Sequence, residues 1–254
     1  MLSTLQLTER FEDRREIKNI MGKYVTSCLL CREDTIVDSL FCGRDDISLG
    51  FNGGYYVGRQ AVKEYYEAVC AATAKKSKCL QKIFPEQLGK LSDEELYGVG
   101  PFKAEPLTSF YMQEAEDGET AKGLWYSIGQ DTKPNGDGTA LAMWNTGKVA
   151  IDFVKEGDAW KIWHIVEAND ATCEAGDTYG DHPVYLDYAT DPVAVEFGTP
   201  TIPMITHDAT FNWWDNYPAP PEDYETWSDE LSYGPEGYPE KTVYHFGAGE
   251  GGNF

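Results

Sequence analysis

The chain has 254 residues, 41% hydrophobic and 13% aromatic, which is ample for a packed core and too apolar for a wholly disordered polymer. Its 43 acidic residues against 21 basic ones give a formal charge of −22, which repels a phosphate backbone and an anionic lipid surface and so argues against nucleic-acid and membrane partners. The opening MLSTLQLTERFEDRREI has no apolar leader core and no run is long enough to span a bilayer, so a cytoplasmic location is expected.

Thr8 can cap a first helix, on which Ile17, Ile20, Met21, Tyr24 and Cys28 share one face at helical spacing. A short helical stretch follows near Thr35–Phe41. Ile47, Leu49 and Phe51 then alternate into Asn52-Gly53-Gly54, a hairpin signal, and Tyr55-Tyr56-Val57 return. A third helix is expected from Arg59 to Ala72, with Ala61, Val62, Tyr65, Tyr66 and Val69 as its apolar stripe. Ser92-x-x-Glu95 is a capping box for a short helix that Gly98 can end. From residue 107 the pattern is strand: 107–113, a turn at Asp117-Gly118, 120–129, a Gly- and Asp-rich loop at 131–138, then 139–169 as two long strands joined at Glu156-Gly157-Asp158. Helices first and a meander of antiparallel strands afterwards make an α+β architecture.

Residues 171–254 hold 16 acids against one base, Lys241, and nine of the 13 prolines, a composition that suits neither a regular helix nor a sheet. Their tryptophans and tyrosines are too apolar for a solvated linker, so the segment reads as an arm laid over this domain or a neighbouring subunit. Short elements are expected near FNWWDNY and PPEDYETWSDEL. The six cysteines form no regular framework, and Cys28-x-x-Cys31 lacks a second pair for zinc; free thiols and no metal site are expected. Gly247-Ala-Gly-Glu-Gly-Gly has only the composition of a dinucleotide loop, with no strand–helix unit around it.

The segments REIKNIMGKYV, GGYYVGRQAVKEYY, GETAKGLWYS and GKVAIDFVKEGDAWKIWHI, in that order, resemble the SnoaL-like branch of the nuclear transport factor 2 (NTF2-like) superfamily over roughly residues 10–170. The resemblance implies a cone-shaped curved antiparallel sheet wrapped around N-terminal helices, a SnoaL-like domain over 1–170 and an irregular extension over 171–254. It also implies a ligand in the open end of the cone and, for most members, no cofactor. Members include dehydratases, isomerases, cyclases, formaldehyde-releasing lyases and non-catalytic proteins, so chemistry must be argued from the site.

Tyr24 closes the first helix's stripe where dehydratases of this superfamily often carry an oxygen-polarising tyrosine. The aspartate they usually carry one turn further on is replaced here by Ser27, Cys28 and Leu29, so their carboxylate–histidine pair does not transfer intact. His164, the one histidine in residues 1–170, stands mid-strand as a candidate proton carrier or as a packed imidazole. Strand parity sets it on the opposite face from Glu167 and Asn169, so either His164 or that pair lines the cavity, unless a bulge intervenes. Lys148 and Asp152 share a face and read either as an acid–base pair inside the cone or as solvated charges outside it. Tyr55, Trp125 and Trp144 suit the wall of a flat apolar ligand, Arg59 a carboxylate or phenolate, and Asn169 a polar substrate group.

Together these imply a cofactor-independent lyase using general acid–base catalysis, by dehydration or retro-aldol cleavage of a hydroxylated aromatic or polycyclic small molecule. A ketosteroid-type isomerase and a non-catalytic ligand-binding or scaffold protein are the alternatives. A broad apolar outer sheet face suggests a homodimer or homotrimer.

Overall fold

The computed structural model describes residues 3–51, 54–100, 102–134, 140–176, 198, 201–203 and 218–237. Of the loop expected at 131–138, residues 131–134 are strand instead, paired with 140–143, and 135–138 lie outside the described residues, as do the expected turn residues Asn52-Gly53, FNWWDNY and the Gly247 segment.

Helix α1 (Thr4–Leu29) starts four residues before the expected cap: Ser3 and Gln6 form a reciprocal capping box, while Thr8 bonds back to the Thr4 carbonyl inside the helix. A 3₁₀ turn (Glu33–Thr35) leads into α2 (Ile36–Leu40), then β1 (Ser48–Phe51) and β2 (Gly54–Val57). Helix α3 (Arg59–Ile83) runs well past Ala72, because Ala72, Thr73 and Ser77 continue its buried face and Ser77 Oγ donates to the Val99 carbonyl. Two short helices follow, α4 (Pro85–Leu88) and α5 (Asp93–Leu96), the latter opened by the expected Ser92–Glu95 box. The strands β3 (Phe102–Ala104), β4 (Leu107–Glu114), β5 (Thr120–Pro134), β6 (Ala140–Glu156), β7 (Ala159–Glu174) and β8 (Ile202–Pro203) complete one curved sheet in the order β3-β5-β6-β7-β1-β2-β8, with β4 also on β5.

The sheet is mixed and not wholly antiparallel: β1 runs parallel to β7, with Leu49 opposite Ile165. That pairing is long-range and follows from α2 returning the chain to the edge of β7. Period-2 alternation divides the sheet into two faces. Val149, Ile151, Phe153, Ile165, Leu49 and Trp125 turn inward and pack with Ile17, Ile20, Met21, Val62 and Tyr66 of the helices. Each such fully buried side chain contributes about 1.5–3 kcal/mol. Leu124, Ala150, Val166, Ala168 and Tyr55 turn outward, where Tyr233 of the 218–237 segment covers them. Gly50 is required there, since a Cβ would lie 2.4 Å from the Tyr55 ring.

Residues 218–237 cross this outer face in mostly irregular conformation, so the PPEDYETWSDEL run forms a 3₁₀ turn at Asp229–Leu231 and not an α-helix. The segment is stitched down by backbone bonds from Glu116 and Asp117 to the Tyr224 and Glu225 carbonyls, and by the Tyr55 hydroxyl to the Tyr233 carbonyl at 2.7 Å. All six cysteines are free. No described helix is long and apolar enough to cross a membrane.

Candidate functional site

The helical stripe of α1 delivers Tyr24 to the inner face of β7. Its hydroxyl donates to Glu167 Oε1 at 2.5 Å and lies 3.2 Å from the hydroxyl of Tyr66, which α3 brings in from the other side. Tyr24 and Glu167 border a cavity of about 20 Å³, whose polar lining is Tyr24, Cys28, Lys103, Glu105 and Glu167 and whose apolar wall includes Val149 and Leu107. The edge strand β3 supplies Lys103, registered opposite Asp131, and Glu105 follows directly, its Oε1 accepting from Ser127 Oγ at 2.7 Å.

Burial, reinforced by the charge of Glu105, pushes the Glu167 carboxyl up to about 7, with Lys103 and the Tyr24 hydrogen bond pulling the other way. Burial and then the Glu167 charge raise Tyr24 and Tyr66 well above the ordinary phenol range, so both remain protonated donors. Burial pushes the Cys28 thiol up to about 12, which keeps it neutral. Desolvation opposes the Lys103 charge, but the neighbouring carboxyl groups of Glu167, Glu105 and Glu33 outweigh it and hold Lys103 above its usual range as an ammonium. The cavity therefore combines a carboxyl raised toward neutrality, the Tyr24 phenol backed by Tyr66 from outside the lining, and the Lys103 ammonium. Among the described residues no group of three or more His, Cys, Asp or Glu side chains is arranged to hold a metal ion.

A second polar cluster lies on the outer face. Asp152 Oδ1 receives Lys122 Nζ at 2.6 Å, while its Oδ2 lies 3.0 Å from His164 Nδ1 and accepts the Tyr233 N–H at 2.6 Å. Lys122 also donates to the Leu231 carbonyl, and Ser232 Oγ sits 3.1 Å from His164 Nδ1. Serine, histidine and aspartate together suggest a nucleophile triad, but here Ser232 and Asp152 meet the same ring nitrogen, and Ser232, His164 and Asp152 are sealed in at 4%, 2% and 0% exposure. Burial alone would raise Asp152, yet Lys122 and His164 hold it below the ordinary carboxylate range, while burial lowers Lys122 despite its partner. This is a docking joint between the sheet and the 218–237 segment.

No protein-family model and no curated protein matches the chain. Solved structures do. The hexachlorocyclohexane dehydrochlorinase LinA-type3 from Novosphingobium barchaimii LL02 is 12% identical, with 67% of this chain and 95% of that one covered at a TM-score of 0.48. Kfla4162 from Kribbella flavida is 15% identical, with 65% and 95% covered and a TM-score of 0.45. Aln2 from a Streptomyces species is 14% identical, with 63% and 91% covered and a TM-score of 0.41. What decides the architecture is this chain's own layout: N-terminal helices packed into the hollow of a curved sheet, with β1 closing in parallel on the last long strand. This is the α+β layout of a curved sheet around helices that the resemblance in the sequence implies.

Within this curved sheet the predicted site residues separate. Tyr24 lines the inner cavity. His164, Asp152 and Lys148 are on the outer face, and the expected Lys148–Asp152 pair does not form: Lys148 lies 3.4 Å from Asp170, and Asp152 is held by Lys122 and His164. A β-bulge at Trp163 shifts the β6–β7 register between Asp152 and Phe153, but it falls before His164 and leaves His164 and Glu167 on opposite faces. Trp125 is core, against Phe110 and Phe153. Tyr55 is buried under Tyr233, and Trp144 is 39% exposed on β6, opposite Gln130 and Cys173. Arg59 clamps the Cys42 and Val37 carbonyls and Asp38 at the start of α3. Asn169 is on β7 two residues beyond Glu167, past the cavity lining. Glu167, Lys103, Glu105 and Tyr66 are the site members that sequence reasoning did not select; Tyr66 falls on the predicted stripe of α3 and Glu167 on the face fixed by parity.

Proposed function

We propose that this chain is a cofactor-independent enzyme of lyase type in which Glu167 carries the proton and Tyr24 holds the oxygen on which charge develops. The observation that carries this reading is the Tyr24–Glu167 hydrogen bond inside a small cavity, with the carboxyl poised at about 7. In an elimination, ionised Glu167 takes the proton next to an electron-withdrawing group, the C–H electrons become the new double bond, and the departing hydroxyl leaves as water with the proton that Glu167 returns. Tyr24, turning its one proton from Glu167 to the substrate oxygen as substrate enters and backed by Tyr66, donates to that oxygen during the reaction. A cavity of about 20 Å³ has room for little more than one water. Any substrate therefore enters only as the lining, which includes Leu29 and Leu107, gives way; a compact hydroxylated compound asks least of it and the polycyclic class most.

The second reading is an isomerase, and it is favoured by one specific observation: a single elevated carboxylate beside two phenols is sufficient for moving a proton between carbons. Incubation with small β-hydroxy ketones, aryl diols and enones, followed by product mass, separates the two. Loss of water supports the lyase, loss of formaldehyde supports the cleavage branch, and unchanged mass with a moved double bond supports the isomerase. No turnover in any class would leave ligand binding without catalysis.

A further inference from the structure

Lys122 and Lys148, buried on the outer face, each have a counter-ion in contact: Asp152 at 2.6 Å and Asp170 at 3.4 Å. Lys103 is placed differently. It is partly buried on β3 and borders the Tyr24 cavity, yet among the described residues its Nζ makes no hydrogen bond and has no carboxylate within 4.0 Å. Even Asp131, which stands across from it on β5, does not reach it. Glu105 gives one oxygen to Ser127 Oγ, and with Glu167 and Glu33 it acts on Lys103 from beyond contact range. An ammonium has three N–H donors, and a ligand that displaces water from them must offer acceptors of its own or lose affinity.

We propose that Lys103 is the specificity-determining residue of this site and pairs with a carboxylate of the substrate, which makes that substrate a short 4-hydroxy-2-oxo acid. The inference rests on the lyase reading above for the roles of Tyr24 and Glu167, and adds what the substrate carries. A plain 3-hydroxy acid would put only an ionised carboxylate next to the proton, and that group withdraws electrons too weakly for a carboxylate base; the ketone is therefore required. In a 4-hydroxy-2-oxo acid the carboxylate adjoins the ketone, so Lys103 and Tyr24, which line the same cavity, hold neighbouring groups. Glu167 takes a proton from the carbon between the ketone and the hydroxyl-bearing carbon, the C–H electrons form the new double bond, and the hydroxyl leaves with that proton as water. 4-Hydroxy-2-oxobutanoate thus becomes 2-oxobut-3-enoate and water, with no further reactant. The acid is also compact, which suits a cavity of about 20 Å³.

Calorimetric titration of the full chain below about pH 7, where Glu167 keeps its proton, compares 4-hydroxy-2-oxobutanoate with 4-hydroxy-2-butanone, which has a methyl in place of the carboxylate. A chain of formal charge −22 repels anions as a whole, so a preference for the acid reports a local cation. The acid should bind about tenfold tighter than the ketone. Lys103→Met should erase that preference and Lys103→Arg should keep it, as should Lys78→Met, which removes an exposed lysine paired with Asp93. Should Lys103→Met fail to fold, the amide of the same acid must bind the wild type as weakly as the ketone does. Equal binding of acid and ketone, no binding of the acid, or a preference that survives Lys103→Met would overturn the proposal. Turnover judges the other reading separately. Dehydration of the ketone as fast as the acid would leave the lyase reading standing and the carboxylate pairing refuted, while an acid that binds through Lys103 and is never dehydrated would do the reverse.

Discussion

Replacing Glu167 with glutamine should stabilise the protein above neutral pH while removing its proton carrier. In the folded chain the carboxyl sits at about 7 against an ordinary 4.5. Below 4.5 both folded and unfolded forms are protonated and the group has no differential effect. Between 4.5 and 7 the native state holds the proton that the unfolded state has released, so wild-type stability falls as pH rises, and the loss is complete above 7. At about 1.4 kcal/mol per pKa unit, the full displacement is a ceiling of about 3 kcal/mol, reduced by whatever solvent reaches this half-buried side chain. A glutamine at this position keeps an acceptor for Tyr24 without ionising, so the variant's stability should lack this slope. Urea denaturation of both proteins at about pH 5 and about pH 8.5 measures it. The gap between them should widen toward the variant's favour by about 2–3 kcal/mol at the higher pH. A gap that stays constant across that range would show that Glu167 titrates as an ordinary surface carboxylate and refute the reasoning.

Four further outcomes follow from the same geometry. With any substrate that turns over, Tyr24→Phe should lower kcat about 10²–10³-fold with little change in fold, read by steady-state kinetics and circular dichroism. Activity should rise with pH through about 7 as Glu167 becomes the base, visible in a kcat/KM profile. Asp152→Ala should cost about 3–5 kcal/mol by leaving Lys122 buried without its counter-ion, and it should loosen the 218–237 segment to proteolysis. Ending the chain after residue 176 should expose Tyr55, Leu124 and the Asp152 cluster; a truncated protein that melts and elutes like the full chain would contradict the docking described above.

Most of the fold could be read from the sequence because its signals are local. The Ser92–Glu95 box, the Asp117-Gly118 and Glu156-Gly157 turns and the strand patterns of 107–113, 120–129 and 139–169 each depend on neighbours a few residues away. The parallel seating of β1 on β7 and the short edge strand β3 depend on partners far along the chain, and neither leaves a periodic trace. The site was half legible for the same reason. Parity correctly divided His164 from Glu167 but could not say which face was inward. The helices claim the face of Val149, Ile151 and Ile165, so Lys148, Asp152 and His164 turn outward. There they look catalytic because an irregular segment from the far end of the chain buries them, and irregular docking carries no period. Lys103 and Glu105 enter the cavity through the register of an edge strand.

The central claim is that Glu167 shares its cavity with Tyr24 as a proton-exchanging carboxyl. Titrating the Glu167 side-chain carboxyl by carbon NMR in ¹³C-labelled protein, assigned by its disappearance in Glu167→Gln, tests this directly. A midpoint of about 7 that shifts in Tyr24→Phe is the predicted result. A midpoint at the ordinary 4.5, unmoved by the tyrosine substitution, would contradict it.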